Sequence, residues 1–436
     1  MKKDIYRIVR QLDYTLSDNE IEIRAENSLE AIKQNRYDFS TYTKKTFTQV
    51  NKKRQIYNFE KMTVENILCL FLKKRMDQVF KIRYASRGKI INSLFNTLPV
   101  IKDLNDFVII RADFKSFFDS VLTMHVYEKY IKRSLLTRND KEILKKYIEQ
   151  FKYCYAGLCL SNGMAEIVCQ DFDKHIIARL EKYGIVFYER YIDDILIILN
   201  SHISCAGFLQ LVEDVIQIVF ANCPVKLNQS NNKFTYISRR SLQAIQKFDF
   251  LGYEYNLKYN NNNKIKFTFG ITLKKRNKYK NIIEQAFIAF KRDRNEELFR
   301  QRLKIYSARV VIARSLGENK LEWLTRGVVA NYNELRYHID ELDRQTEEFF
   351  KKAYIQLLDK HRIICPYFLK QSDDEESIYN MYSTLSRNRS IVFEKNIGVK
   401  RKDLVNWIKK IQTGYLDTNK SYYRIVVEYL ELLKIE

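Results

Sequence analysis

The stretch Tyr191-Ile192-Asp193-Asp194 lies between two β-rich segments, Ile185–Tyr191 and Ile195–Leu199. Two adjacent acids in a tight turn, directly before an apolar run, predict a β-hairpin with negative charge at the lip of a buried sheet. An isolated Asp-Asp pair is more often a solvated turn. A buried one is costly unless a cation neutralises it.

A second acidic site changes the interpretation of this pair. The apolar run Phe107-Val108-Ile109-Ile110 ends in Arg111-Ala112-Asp113 and predicts a buried strand with a carboxylate at its end. The segment between Asp113 and Asp193 is long enough for crossover helices that bring the two strands side by side. Three carboxylates at neighbouring strand ends can hold two divalent ions about 3.5–4 Å apart, an arrangement that serves in-line nucleotidyl transfer.

The composition points to a polyanionic partner. The 436 residues include 76 Lys and Arg against 53 Asp and Glu, which gives a net charge of +23. The 46% of hydrophobic residues is enough for a globular protein with a core. In such a protein, an excess of positive charge most often indicates that the partner is nucleic acid. Only 11 Gly and 3 Pro are present, which argues against a Rossmann or P-loop enzyme with its clustered glycines.

The cysteines and the hydropathy indicate the compartment. Seven cysteines without a CxxC pair predict buried thiols in a reducing environment. No apolar run approaches the roughly 20 residues of a membrane span, and the N-terminus turns charged at once. We therefore expect a soluble cytoplasmic protein that does not bind membranes.

Weaker patterns organise the rest of the chain. Residues 47–59 suggest a basic hairpin, and residues 63–81 carry the apolar stripe of an amphipathic helix. Short strands are predicted near 225–227, 234–237 and 248–255, and another over 264–272. Residues 275–436 have a strongly helical composition.

Three motifs resemble those of reverse transcriptases, in the family's order. Asp113-Phe114-Lys115-Ser116-Phe117-Phe118-Asp119 resembles the first palm motif, and Tyr191-Ile192-Asp193-Asp194 resembles the Tyr-x-Asp-Asp motif. Phe250-Leu251-Gly252-Tyr253 resembles the Phe-Leu-Gly primer-grip hairpin. The resemblance spans about residues 45–280. It is closest to the bacterial branch of retrons, group II introns and abortive-infection (defence-associated) enzymes.

The resemblance implies an α+β, right-hand polymerase fold with an antiparallel palm sheet, an α-helical thumb and a C-terminal helical region. The implied segments are an N-terminal helical extension (1–45), fingers (46–106), palm (107–272), thumb-like helices (273–345) and a C-terminal helical region (346–436). The C-terminal helices would bind RNA, a partner subunit or further copies of the chain.

The resemblance also assigns the catalytic centre. Asp113 and Asp193 would ligate Mg²⁺, with Mn²⁺ as an alternative, helped by the Phe114 carbonyl and with Asp194 nearby. Phe118 falls where the family places its sugar gate, so that a bulky ring would clash with a ribose 2′-hydroxyl and favour dNTPs. Alternatively, Phe118 is simply part of the core.

Basic and glycine positions are assigned in the same way. The incoming triphosphate would be bound by Lys53, Arg54 and Arg87, and Gly157 would support the nascent base pair. Lys233 resembles a lysine that protonates the leaving pyrophosphate. Lys274, Lys275, Arg276 and Lys278 would bind the duplex backbone, since basic residues interleaved with Tyr suit nucleic acid. Each of these cations can instead belong to a solvated face.

One motif departs from the family. The template-facing segment reads Gly157-Leu158-Cys159-Leu160-Ser161, where the family has Gly-Leu-Pro-Gln-Gly. This departure puts ordinary templated copying in doubt. We expect an RNA-directed DNA polymerase that uses dNTPs and an RNA template, such as a dedicated non-coding RNA, to make DNA in bacterial antiviral defence. The alternatives are template-independent or protein-primed DNA synthesis, and a catalytically silent nucleic-acid-binding relative.

Overall fold

A computed structural model describes residues 1–13, 16–49, 52–259, 265–315, 321–370, 379–412 and 419–434, with the backbone alone at 48–49, 52–54, 314–315 and 321. The chain is a mixed helix-and-sheet protein that divides into two compact units. The first unit comprises residues 1–246 and 259–264, and the second comprises 247–258 and 265–436. No helix of the described residues is both long enough and apolar enough to cross a membrane.

The first unit contains eight α-helices in its described residues. They are α1 (Lys2–Leu12), α2 (Asp18–Lys33), α3 (Val64–Val79), α4 (Arg87–Ile101), α5 (Thr123–Val126), α6 (Arg138–Gln150), α7 (Cys159–Leu180) and α8 (Cys205–Phe220). Its strands are β1 (Thr43–Gln49), β2 (Lys52–Asn58), β3 (Val108–Asp113), β4 (Ile185–Tyr191), β5 (Asp194–Leu199) and β6 (Thr235–Ser238). The amphipathic helix predicted over 63–81 is confirmed as α3, whose Thr63 N-cap accepts a hydrogen bond from the Asn66 amide.

A four-stranded antiparallel sheet with the order β4-β5-β3-β6 forms the centre of this unit. Both inner strands are apolar over most of their length and buried on both faces, because helices of the same unit cover them. The sequence predictions of a buried strand ending at Asp113 and of a hairpin over residues 185–199 are therefore confirmed. The predicted strand at 225–227 is reduced to an isolated bridge between Phe114 and Leu227.

The basic hairpin predicted over residues 47–59 is confirmed as the antiparallel pair β1–β2. It is anchored by Tyr57, whose backbone N–H donates to the Ala156 carbonyl at 2.9 Å and whose ring stacks on Tyr155 with 4.4 Å between centroids. Next to this anchor, Gly157 has a φ of +103°, and a Cβ there would collide with the Tyr57 carbonyl. Glycine is required at this position by both backbone conformation and close approach.

The second unit begins with a three-stranded sheet, β7-β8-β9. β7 (Ile245–Phe250) starts in the first unit, and β8 (Tyr253–Tyr259) and β9 (Ile265–Ile271) follow. The single strand predicted near 248–255 is wrong, because Leu251 (φ +50°) and Gly252 (φ +86°) form a tight turn that divides it into two strands. The helices are α9 (Leu273–Asp293), α10 (Glu296–Ser307), α11 (Val328–Asn331), α12 (Arg344–His361), α13 (Met381–Ser386), α14 (Arg401–Ile411) and α15 (Tyr422–Leu432).

Residues 275–436, which have a strongly helical composition, contain helices and also three strands that the sequence analysis does not predict. A second three-stranded sheet, β11-β10-β12, is formed by β10 (Arg309–Ser315), β11 (Leu321–Arg326) and β12 (Ser390–Phe393). β10 pairs antiparallel with β11 and parallel with β12. The apolar, β-branched stretches Val310–Ile312 and Ile391–Phe393 favour strands locally. Their helical surroundings and their wide separation along the chain concealed this pairing.

We predict that Gly157→Ala destabilises the protein by about 2–4 kcal/mol, because the added Cβ meets backbone and the φ is unfavourable for alanine. Gly163→Ala is the matched control. It lies within α7, and the nearest atom to its Cβ is the flexible methyl end of Met76 at 3.0 Å. Chemical denaturation of both variants measures the difference, and equal losses of stability would contradict this account of Gly157.

Candidate active site

The three predicted carboxylates meet at one end of the central sheet. Asp113, the last residue of β3, stands directly opposite Asp194, the first residue of β5, in the antiparallel register. Asp193 occupies the turn between β4 and β5, next to Ile192, whose φ of +63° allows the chain to reverse there. The structure therefore brings together residues that are about 80 positions apart in the sequence.

Arg111 is a buried cation on the same strand as Asp113. Because it precedes Asp113 by two residues on the same strand, its side chain lies on the same face of the sheet. Its guanidinium donates to the Asp194 carboxylate at 2.9 Å and to the Asn232 carbonyl at 3.1 Å, and the side chain is only 4% exposed. Arg111 therefore fixes the orientation of Asp194 and neutralises its charge.

Lys233 approaches the same group from the segment before β6. Its ammonium donates to Oδ2 of Asp113. The other oxygen, Oδ1, is buried and has no hydrogen-bond partner among the described residues. A buried carboxylate oxygen without a partner is costly, so this atom is suited to accept a ligand that the protein itself does not supply.

The concentration of negative charge changes how these acids ionise. Burial, together with the neighbouring Asp194 and Asp113 carboxylates, raises the pKa of Asp193 to about 6. The pKa of Asp194 is also raised, chiefly by burial, although Arg111 and Lys233 act in the opposite direction. Raised values of this kind show that the site disfavours its own full ionisation.

A second ionic network connects the turn that carries Asp193 to helix α7. Arg190, on β4, has a side chain only 4% exposed and donates to Asp173 and Glu166 on α7, with contacts between 2.6 and 3.1 Å. Its Nη1 also donates to the Ile192 carbonyl at 3.0 Å, within the turn that carries Asp193. One guanidinium therefore connects the long helix α7 to the acidic turn.

Sequence reasoning missed both arginines. The sequence signal of Arg111 is a lone charge inside the apolar run of β3. Arg190 immediately precedes the acidic motif and belongs to an alternating strand. The carboxylates that pair with it, Glu166 and Asp173, are spaced seven residues apart and therefore lie on one face of α7. That spacing was the available signal.

The other nucleotide-site predictions in the first unit have mixed outcomes. Phe117 is buried and stacks on Phe114, whereas Phe118 is only partly buried, so of the two rings Phe118 is the one that reaches the surface. Arg87 is partly buried at the start of α4. The side chains of Lys53 and Arg54 lie outside the described residues. The predicted role of each remains a prediction.

The predicted primer-grip and duplex-binding residues lie in the second unit. Phe250 is buried beside the Leu251–Gly252 turn. On α9, Lys274 and Lys278 are exposed and Lys275 is partly buried. Arg276, which the sequence predicts to bind nucleic acid, is buried instead. It is 6% exposed and is held by the Ile271 carbonyl, Thr346 and Gln345, so its guanidinium supports the fold.

Comparisons with known proteins were made for the whole chain. No family model matches the sequence, and no curated protein matches it. The chain is similar to apo telomerase from Candida tropicalis truncated from its C-terminal domain, with 12% identity, a TM-score of 0.35, and coverage of 53% of this chain and 57% of that one.

Two further telomerase structures are similar, each in complex with a TWJ fragment of telomeric RNA. The Candida tropicalis complex has 14% identity, a TM-score of 0.35, and coverage of 56% of this chain and 48% of that one. The Candida albicans complex has 13% identity, a TM-score of 0.38, and coverage of 89% and 64%. This chain thus spans less than two thirds of each of these structures. At such identities and TM-scores the likeness carries no functional argument. The function is argued below from the side chains described above.

We predict that Arg190→Met destabilises the protein by about 3–5 kcal/mol, because it leaves the Glu166 and Asp173 carboxylates without a cation. Arg138→Met is the control, since the Arg138–Glu142 pair is exposed and is worth at most about 0.5 kcal/mol. The triple variant R190M/E166Q/D173N should recover part of the lost stability. Denaturant titration measures all three, and no loss in R190M would contradict the assignment.

We predict that Asp193→Asn stabilises the metal-free protein by about 1–3 kcal/mol above pH 7, because a raised pKa in the folded state penalises the ionised carboxylate. The advantage should shrink as the pH falls from about 6 to about 4, where the wild-type carboxyl takes up its proton. Denaturation in EDTA across this pH range tests the prediction. The exposed Asp214→Asn on α8 serves as control, with an expected change within about 0.5 kcal/mol.

Proposed function

We propose that the chain is a metal-dependent nucleic-acid polymerase that makes DNA, acting as an RNA-directed DNA polymerase. The observation that carries the proposal is the meeting of Asp113, Asp193 and Asp194 at one sheet end, with the buried Oδ1 of Asp113 left without a partner. A simple structural pair of acids would be expected to face solvent or to be fully hydrogen-bonded.

The donor set fits a hard divalent cation such as Mg²⁺, or Mn²⁺ in its place, because carboxylate oxygens are its preferred ligands. In the described residues no three His, Cys, Asp or Glu side chains lie in an arrangement that could hold a metal ion as the structure stands. Arg111 is paired with Asp194 and Lys233 with Asp113, so binding of a metal ion would require the Lys233 contact to be released. We assign Asp113 and Asp193 as the residues that would hold metal, with the Phe114 carbonyl as a further donor.

When bound, two such ions would lower the pKa of an attacking 3′-hydroxyl and stabilise the leaving pyrophosphate. The side chains supply the remaining functions. Arg111 orients Asp194 and favours its ionised form, and Arg190 holds the turn so that Asp193 keeps its position. Lys233 would have to release Asp113, which would make its ammonium available as a proton donor to the pyrophosphate.

The choice of substrate is proposed from Phe118 and from the excess of positive charge. A partly buried ring close to Asp113 in sequence would exclude a ribose 2′-hydroxyl, so dNTPs are the proposed substrates. Arg54, Lys53 and Arg87 would bind the triphosphate, and Lys274, Lys275 and Lys278 the duplex. An RNA template, a dedicated non-coding RNA and a cytoplasmic role in antiviral defence extend the proposal from the motif resemblance.

A second candidate function is a catalytically silent nucleic-acid-binding protein. The observation that favours it is the pairing of Lys233 with Asp113 and of Arg111 with Asp194, since both pairs neutralise carboxylates without metal. The +23 net charge serves either function equally. Only the dependence of activity on the acids distinguishes them.

The deciding experiment purifies the full chain with its associated nucleic acid and adds Mg²⁺ with labelled dNTPs or NTPs. We predict dNTP incorporation that EDTA abolishes and that Asp113→Asn or Asp193→Asn lowers by at least about 10³-fold, because each removes a metal ligand. The matched control, Asp214→Asn, lies on the exposed face of α8 and should retain wild-type activity.

The other outcomes are equally informative. No incorporation with any nucleotide would favour the silent nucleic-acid-binding protein, and incorporation of NTPs alone would contradict DNA synthesis. Product that persists after all RNA is digested would replace the templated reaction by template-independent synthesis.

A further inference from the structure

The second unit contains a cavity of about 400 Å³ that the proposed catalytic function does not use. It lies between α10, the turn Tyr367–Leu369 and the start of β12, and its apolar wall includes Leu303 and Ile391. This volume falls within the range of small-ligand sites, and a mostly apolar wall with a few charged groups is typical of them.

Three cations line this cavity. Arg300 is paired with Glu297 through contacts of 2.9 and 3.0 Å. Lys304 and Arg389 have no carboxylate partner among the described residues. Two cations on one apolar wall, neither at ion-pair distance from a carboxylate of the described residues, attract an anionic group, because charge-assisted hydrogen bonds to it are stronger than those to water.

The position of Lys304 makes this attraction stronger. Its ammonium lies 4.4 Å from the centre of the Trp407 ring. Burial and the neighbouring Arg300 lower its pKa, although Glu297 acts in the opposite direction. A partly desolvated ammonium with no carboxylate at ion-pair distance is unfavourable in the free protein. An anion placed beside it would remove that cost.

Aromatic rings complete the lining. Phe368 and Tyr379 both contribute, and the Tyr379 ring is fixed by the contact of its hydroxyl with Thr384 at 2.5 Å. The guanidinium of Arg389 lies 5.8 Å from the centre of the same ring. Rings of this kind stack on nucleobases.

We propose that this cavity binds a nucleotide, with the phosphates at Lys304 and Arg389 and the base against the rings of Phe368 and Tyr379. The ligand is either a free nucleoside phosphate or the phosphorylated end of a nucleic-acid strand, which share this chemistry. The site belongs to the second unit and is separate from the carboxylates of the first. It is therefore a further nucleotide site beyond the proposed function.

The protein contains its own reporter for this site. The chain has two tryptophans, Trp323 and Trp407, and Trp407 lies beside Lys304. In a Trp323→Phe background, the fluorescence of Trp407 alone is followed while ligand is added in EDTA, so that metal-dependent binding at the carboxylates does not contribute. The ligands are dATP, a 5′-phosphorylated dT₁₀ strand and inorganic tripolyphosphate.

We expect saturable quenching of Trp407 by dATP, by the phosphorylated strand, or by both. Lys304→Gln/Arg389→Gln should weaken that binding by at least about tenfold, because two charge-assisted contacts are lost. The single variant R389Q, at an exposed residue, should weaken it severalfold without affecting folding. The control K402Q/K409Q removes the same charge from the exposed face of α14 and should change binding by less than about twofold.

Each result has a defined meaning. Saturation by dATP assigns the site to free nucleotides, and saturation by the strand alone assigns it to strand ends. Three results would overturn the proposal: no saturable signal with either ligand, equal weakening by both double variants, or tripolyphosphate binding as tightly as dATP. D193N should bind as wild type does, so loss of catalysis and loss of this site are separable.

Discussion

Compensation of buried charge is the constraint on which the first unit depends. The end of its central sheet holds three carboxylates, and burial there makes each uncompensated charge expensive. Arg111, within the same sheet, pairs with Asp194, and Lys233, in the segment that leads into β6, pairs with Asp113. The fold therefore has to deliver two cations to this end from positions more than a hundred residues apart.

The two arginines act on different parts of the same turn. Arg111 holds the carboxylate that follows the turn, whereas Arg190 holds a backbone carbonyl inside it and ties it to α7. Both use several N–H groups of one planar guanidinium at once. A lysine in either place would keep the charge but lose this geometry, since an ammonium cannot reproduce the fork. Rigidity of the acidic turn is thus a property of side chains that are not themselves acidic.

Local patterns in the sequence identified the elements that carry the carboxylates. The apolar run before Asp113 and the alternating segments around Asp193 each determine a strand by their own residues. The resemblance of three ordered motifs then grouped these strands into one site. Neither source indicated Arg190, because its partners Glu166 and Asp173 are defined by the packing of α7 against the sheet. The sequence predicted the wrong environment for Arg276, because a basic run on a helix does not show which of its residues faces inward.

The greatest departure from the sequence expectation is the sheet of the C-terminal region. β12 joins β10 in parallel after an excursion of some eighty residues, and α14 and α15 then pack on the same apolar cluster. Contacts this distant close slowly, because the entropy of a long loop is lost before any of them forms. During synthesis, β10 must wait with one edge unpaired until β12 has been made. A nascent chain that stalls before β12 would therefore expose an unpaired strand edge, which other chains can pair with.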